Sequence, residues 1–288
     1  MPSTFSPDTT LYAPLYVVPT PLGNLADITE RARAILRETA WVAAEDTRHS
    51  APLLKYLGSR ARLLAAHEHN EEQAAARILA LLAAGESVAL ISDAGTPAIS
   101  DPGARIVASV HAAGGRVIPL PGACAATTAL SAAGLSHPHW FFYGFLPASA
   151  SQRQKALNDL AGLACALVFY EAPHRVLKSV VDMNKCLGAT RTLVIAREIS
   201  KQFEQICRLP LGEAAAWLKA DAMRQKGEFV LIVAADENAR EKAVADSGLR
   251  ALRLLLQEGL PKSQAVRLAA ALTGANRNAL YECALADE

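Results

Sequence analysis

Short apolar runs alternate along the chain with amphipathic stretches of about ten residues. Leu15–Val18, Trp41–Ala44, Ser87–Ile91 and Arg116–Leu120 read as strands. Asp27-x-x-Glu30 reads as a capping box that opens a helix running to about Thr39. Asn70 is placed to cap a helix with Ala74, Ile78, Leu81 and Leu82 on its apolar face and Gly85 at its end. Asp101 and Pro102 read as the cap and first residue of a helix reaching about Ala113. Strands that alternate with helices in this way predict a mostly parallel sheet.

The second half repeats the pattern less evenly. Trp140–Phe145, Ala166–Tyr170, Thr192–Ala196 and Phe229–Val233 are strand candidates, and Gln205–Arg208 can add an antiparallel one. Helices are expected near Gln152–Leu160, His174–Cys186 and Gly212–Lys219. Charged Asp236–Lys242 reads as a linker. Leu249–Glu258, Lys262–Ala271 and Asn276–Ala284 follow as three short helices. The fold class is therefore α/β. The domains expected are a flexible lead-in over residues 1–14, α/β domains over 15–122 and 123–236, and a linker with a helical tail over 237–288.

Composition narrows the picture. The 288 residues suffice for two cores. Hydrophobic residues make up 51%, but no run approaches the length of a membrane span. Met1–Pro14 lacks a basic segment and an apolar core, so no signal peptide is expected. Five scattered cysteines without a CxxC pair fit small buried residues in a reducing cytoplasm. A net charge of +1 gives no global case for nucleic acid, which must then be met by local patches.

The chemistry gathers at strand tips, above all in Ser92-Asp-Ala-Gly-Thr-Pro-Ala-Ile-Ser-Asp-Pro-Gly103. Loops at the carboxyl edge of a parallel sheet are where such folds bind ligands. The first strand is not followed by GxGxxG, and the chain carries no GxxxxGK[ST], no GxSxG and no Cys beside a base. His67-x-His69 has no second cluster to complete a metal site, so no metal is expected.

Six ordered motifs carry a resemblance: Pro19–Thr29, Glu45-Asp-Thr-Arg48, Ser92–Gly103, Pro121-Gly-Ala-Cys-Ala125, Phe169-Tyr-Glu-Ala-Pro-His-Arg175 and Gly227-Glu-Phe-Val230. Together they resemble the tetrapyrrole methylase family, and within it the ribosomal RNA branch that methylates the cytidine 2′-oxygen. The resemblance implies two α/β domains with S-adenosylmethionine in the cleft between them, a helical tail, a homodimer, and 16S ribosomal RNA or the small subunit as substrate. Tetrapyrrole-modifying members carry a Gly-x-Gly-Pro-Gly-Asp-like first loop. This chain has Pro-Thr-Pro-Leu-Gly-Asn24 there, which argues against a corrin or porphyrin. Matched motif by motif, the resemblance implies cofactor contacts at Leu22, Asp93, Gly95, Thr96, Pro97, Ala125, Ala126, Tyr170, Ala172, Glu228 and Phe229. For Ala125 and Ala126, plain helix packing explains small residues equally well.

Attack by a ribose hydroxyl gains from a general base. Asp46, His49, Glu171 and His174 are the candidates, although Glu45–Arg48 and Glu171–Arg175 can equally be braces. Arg48 and Arg175 are candidate phosphate contacts. The tail reads as a helix-turn-helix in which Lys262, Arg267 and Arg277 meet phosphates. From Ser247 to Glu288 five Lys or Arg face four Asp or Glu, so a packing or dimerising cap explains it as well. A tetrapyrrole methylase, a diphthine-type methylase and a non-catalytic RNA-binding module remain the alternatives.

Overall fold

The computed structural model describes residues 13–236 and 239–286. The expected lead-in up to residue 12 and linker residues 237 and 238 lie outside them. The described chain divides into two compact units. One holds the residues up to Ala132 together with Ala196–Ile206; the other holds Ala133–Ile195 and Cys207 onward.

In the first unit the elements run β1 (Leu15–Val17), α1 (Glu30–Glu38), β2 (Trp41–Ala44), α2 (Thr47–Leu57), β3 (Arg62–Ala65), α3 (Glu71–Ala83), β4 (Val88–Ile91), α4 (Ala104–Ala112), β5 (Val117–Pro119) and α5 (Ala125–Ala132). The sheet order is β3-β2-β4-β1-β5, and all four pairings are parallel. Central β4 is buried at every residue because both faces are covered. Val88 and Leu90 pack with Ile78 and Leu82 of α3 and Ile106 of α4. Ala89 and Ile91, on the alternate face, pack with Leu36 of α1 and Leu54 of α2.

Local chemistry moved three boundaries. The residue that caps α1 is Thr29, which accepts from the Ala32 amide at 3.1 Å. Asp27 instead closes a 3-10 turn, Leu25–Asp27, capped by Asn24. Asn70 stands at the cap position of α3 without capping it. Its side chain accepts from the His67 amide and donates to the Ala65 carbonyl. Helix α4 starts after Gly103, not at Asp101 and Pro102. Gly103 has φ 131°, a conformation that favours glycine, and its amide donates to buried Glu71 at 2.7 Å. Glu71 on α3 thus anchors the residue that precedes α4, and no side chain among the described residues caps the helix itself. Two elements, α2 and β3, were not expected. Pro52 inside α2 interrupts the periodic pattern, and β3 is a four-residue edge strand without clean alternation.

The second unit contains β6 (Trp140–Phe145), α6 (Ala150–Leu160), β7 (Ala166–Glu171), α7 (Val176–Leu187), β8 (Thr192–Arg197), β9 (Gln205–Pro210), α8 (Leu211–Lys219) and β10 (Phe229–Val233). The order β6-β7-β10-β8-β9 forms a mixed sheet, with β7 parallel to β6 and antiparallel to β10. The end of β8 and the start of β9, with the turn joining them, group with the first unit. Beyond the sheet lie α9 (Ala239–Gln257), α10 (Lys262–Thr273) and α11 (Arg277–Ala286). Helix α9 starts at Ala239, within the stretch expected as a linker and ten residues before the expected Leu249. These three helices bury a core of their own, built on Leu252, Val266, Ala269 and Leu280.

Candidate functional site

In the first unit every strand runs the same way, so the loops after β1, β2, β4 and β5 leave one edge. They are tied to one another. Thr20 and Gly95 exchange backbone hydrogen bonds of 2.9 and 3.0 Å. The Thr20 hydroxyl donates to the Ser92 carbonyl at 3.1 Å, and Thr96 Oγ1 donates to the Ala123 carbonyl at 2.8 Å. The Asp46 amide donates to Asp93 Oδ1 at 3.2 Å. The sites expected at Leu22, Asp93, Gly95, Thr96, Pro97, Ala125 and Ala126 therefore lie on one knot of backbone. At Gly95 φ is 83°, and an added Cβ would stand 3.2 Å from Leu22 Cδ2. A side chain there would strain the loop and push Leu22 aside. Ala98 and Ser100 also hold positive φ, 66° and 64°, which only a loop fixed from both sides sustains.

Carboxylates crowd this edge. Burial raises the Glu45 pKa, and the negative charges of Asp101, Asp93, Asp46 and Glu68 raise it further. Burial also pushes Asp101 up to about 6; a Ser92 hydrogen bond opposes the rise and Asp93 adds to it. Asp46 goes the other way. A hydrogen bond from exposed Arg48 holds its carboxyl below the usual range, and Asp46 serves as the N-cap of α2. The Arg48 guanidinium is 3.4 Å from Asp46, with its side chain 91% exposed. Just below lies a cavity of about 140 Å³, lined by Pro21, Gly23, Leu25, His49, Ser50, Leu53, Ser92 and Asp93. The turn between β8 and β9 also reaches this unit. The Ser200 hydroxyl donates to Asp27, and the Lys201 stem occupies the space a Cβ on Gly23 would need.

In the second unit Tyr170, Ala172 and Phe229 meet at one end of β7 and β10, where Phe229 pairs with Glu171 and Val230 with Tyr170. Exposed Glu228 immediately precedes β10. The Tyr170 ring is flanked edge-on by Phe142 at 4.9 Å and Phe145 at 5.7 Å. Glu171 is only 2% exposed. It accepts from the Ala172 amide and the Ser179 hydroxyl and pairs with Arg175 at 2.8 Å. Arg175 also donates to the Leu146 carbonyl at 3.3 Å. Both side chains are engaged in bracing the β7–α7 corner, where a solvated base or a phosphate contact would need them open. His174 stands exposed beside them.

Arg267 and Arg277 are exposed on α10 and at the start of α11, and Lys262 is half-buried at the start of α10. The turn between those helices passes through Gly274 at φ 75°, and Asn276 accepts from the Asn278 and Ala279 amides. The rings of His67 and His69 lie 6.2 Å apart, and no group of three metal-ligating side chains occurs among the described residues. Sequence reasoning missed Ser50, Thr20 and the charge state of Asp101. Thr20 lay inside the Pro19–Thr29 motif and Asp101 inside Ser92–Gly103, whereas Ser50 carried no signal.

A family model described as Tetrapyrrole (Corrin/Porphyrin) Methylases matches residues 14–215, and one described as RsmI C-terminal HTH domain matches residues 242–288. The chain is 50% identical over 271 residues to ribosomal RNA small subunit methyltransferase I of Escherichia coli O157:H7, covering 94% of each chain. It is similar in fold to diphthine synthase, at 15% identity and a TM-score of 0.61 over 77% of this chain and 90% of that one. It is likewise similar to uroporphyrin-III C-methyl transferase of Thermus thermophilus, solved with S-adenosyl homocysteine. There the identity is 17% and the TM-score 0.55, over 76% of this chain and 97% of that one.

Proposed function

The chain belongs to the tetrapyrrole methylase family, in its ribosomal RNA branch, and we propose that it transfers a methyl group from S-adenosylmethionine to the ribose 2′-oxygen of a cytidine in 16S ribosomal RNA of the small subunit. The observation that carries this reading is the knot of loops around Gly95, set among carboxylates that repel one another. Burial, and then repulsion from neighbouring carboxylates, raise Glu45 and Asp101, and a cation bound beside them relieves that cost. The cofactor is a sulfonium cation, and when bound it supplies an electrophilic methyl carbon.

The residues present fit such a molecule. Gly95, Ala125 and Ala126 are small residues at the loop knot, and the loop backbone offers polar groups for recognition. Tyr170, Ala172, Glu228 and Phe229 form a second group on the other unit that the same reading assigns to the cofactor. The protein's work is then to align an oxygen with the methyl carbon, keep water out and remove a proton. Of the four candidate bases, His49 is placed best. Its imidazole is exposed and lines the cavity beside Asp93. Asp46 is held by Arg48, and Glu171 has its oxygens occupied. Arg48, with its side chain outside the knot, and the tail cations are the phosphate contacts in this reading.

Labelled methyl transfer tests it. Purified protein with S-adenosylmethionine should label small ribosomal subunits that lack the modification, and should leave a uroporphyrinogen-type tetrapyrrole and an elongation factor unlabelled. Label on the tetrapyrrole or the factor, with none on RNA, would reject the assignment.

A further inference from the structure

The cavity below the loop knot has a size and a polar lining that specify more than a methyl acceptor. Its walls come from the loop after β1 (Pro21, Gly23, Leu25), the first turns of α2 (His49, Ser50, Leu53) and the tip of β4 (Ser92, Asp93). Its volume is about 140 Å³. A cavity of about 150 Å³ takes a single six-membered ring. Ser50 is 3% exposed, and its hydroxyl has no hydrogen-bond partner among the described residues. A buried hydroxyl left unsatisfied is costly, so this one calls for a polar partner. Asp93, which the family resemblance gives to the cofactor, also lines this cavity, and its carboxylate can accept more than the Asp46 amide it already does.

We propose that this cavity holds the cytosine ring of the substrate nucleotide, with the Ser50 hydroxyl and the Asp93 carboxylate reading its polar edge. The inference rests on the ribose-methylation reading above and gives that site its base specificity. Cytosine presents an amino group, which a carboxylate accepts from, and ring acceptors at N3 and O2, to which a serine hydroxyl donates. Uracil presents a carbonyl where cytosine has the amino group, so a carboxylate facing it is repelled. Pro21 and Leu53 give the ring apolar walls, and His49 stands at the opening. A base seated here leaves its ribose at the mouth, on the same side as the imidazole assigned to take the proton. Single-stranded RNA is read in this manner, with an unstacked base lodged among side chains.

The test uses the full protein and reconstituted small subunits whose 16S RNA carries cytidine, uridine or adenosine at the methylated position. Wild-type protein should prefer cytidine to uridine by about 100-fold or more and reject adenosine. Ser50→Ala should lower kcat/KM for cytidine subunits by about tenfold. Its affinity for S-adenosylmethionine, measured by calorimetry, should stay within about twofold. Ser50→Thr, which keeps the hydroxyl, should restore most of the activity. The proposal is overturned if Ser50→Ala methylates as wild type does, if uridine is accepted as well as cytidine, or if Ser50→Ala loses cofactor affinity in step with activity. That last result would assign the cavity to the cofactor. Wild-type protein that methylates no RNA ribose at all would remove the underlying reading instead, whatever the Ser50 variants do.

Discussion

At the scale of single residues, neighbouring carboxylates are pushed in opposite directions, Glu45 and Asp101 up and Asp46 down. Asp101 has a folded pKa of about 6 against an ordinary 3.8. A raised value means that folding favours the protonated form. The stability it contributes is complete below pH 3.8 and is lost as pH rises through about 6. Asp101→Asn should therefore melt higher than wild type at pH 8, and the gap should close below pH 4. A gap that stays constant across that range, in thermal melts, would refute the assignment. His49 makes the complementary prediction. His49→Ala should lower kcat by about 100-fold or more while cofactor affinity holds. A variant with full kcat would remove the imidazole from the proton path. The raised Asp101 pKa was not legible in the sequence, because it depends on burial and on the Asp93 charge at the tip of β4. The motif showed that Asp93 and Asp101 lie close along the chain, but not that α4 would start after Gly103 and leave Asp101 within reach of the Asp93 charge.

At the scale of elements, what repeats along the chain was legible and what depends on a distant partner was not. Strands β4, β7 and β10 stood out because a strand buried on both faces is an unbroken apolar run. Helix α2 did not, because Pro52 and the charged Thr47-Arg-His49 start hide its apolar face of Leu54 and Leu57. The join of α6 to α7 was equally invisible. Arg153 there donates twice to Asp182, at 2.8 and 2.6 Å, and to the carbonyls of Pro147 and Ala148. Both side chains are buried. Removing one partner strands the other charge, so Arg153→Ala should destabilise the second unit by about 3 kcal/mol or more. Replacing both Arg153 and Asp182 with apolar residues should cost much less. Urea unfolding followed by the fluorescence of Trp217, which packs against that unit's core, reads both. Equal losses in the single and double variants would show that the pair is not what holds the corner.

At the scale of the whole molecule, a net charge of +1 leaves RNA binding to local surfaces. The tail is the candidate proposed here: it folds about a core of its own, and Arg267 and Arg277 are exposed. If they meet phosphates, replacing both with alanine should weaken RNA binding by a similar factor on any sequence. The slope of log affinity against log salt should fall by about 2. Cofactor affinity should not change. An unaltered slope would make the tail a packing element, the alternative its charge balance left open. The six motifs that carried the family resemblance were legible because they span loops and the strand or helix ends beside them, where side chains answer to a ligand more than to a core. The cavity below them was not, since its lining comes from three separate stretches of chain.

The central claim is where the methyl goes. Small subunits treated with this protein and labelled S-adenosylmethionine, then digested to nucleosides and resolved by mass spectrometry, should yield label only in 2′-O-methylcytidine. Label on a cytosine ring, on another nucleoside, or on no RNA at all would contradict the account.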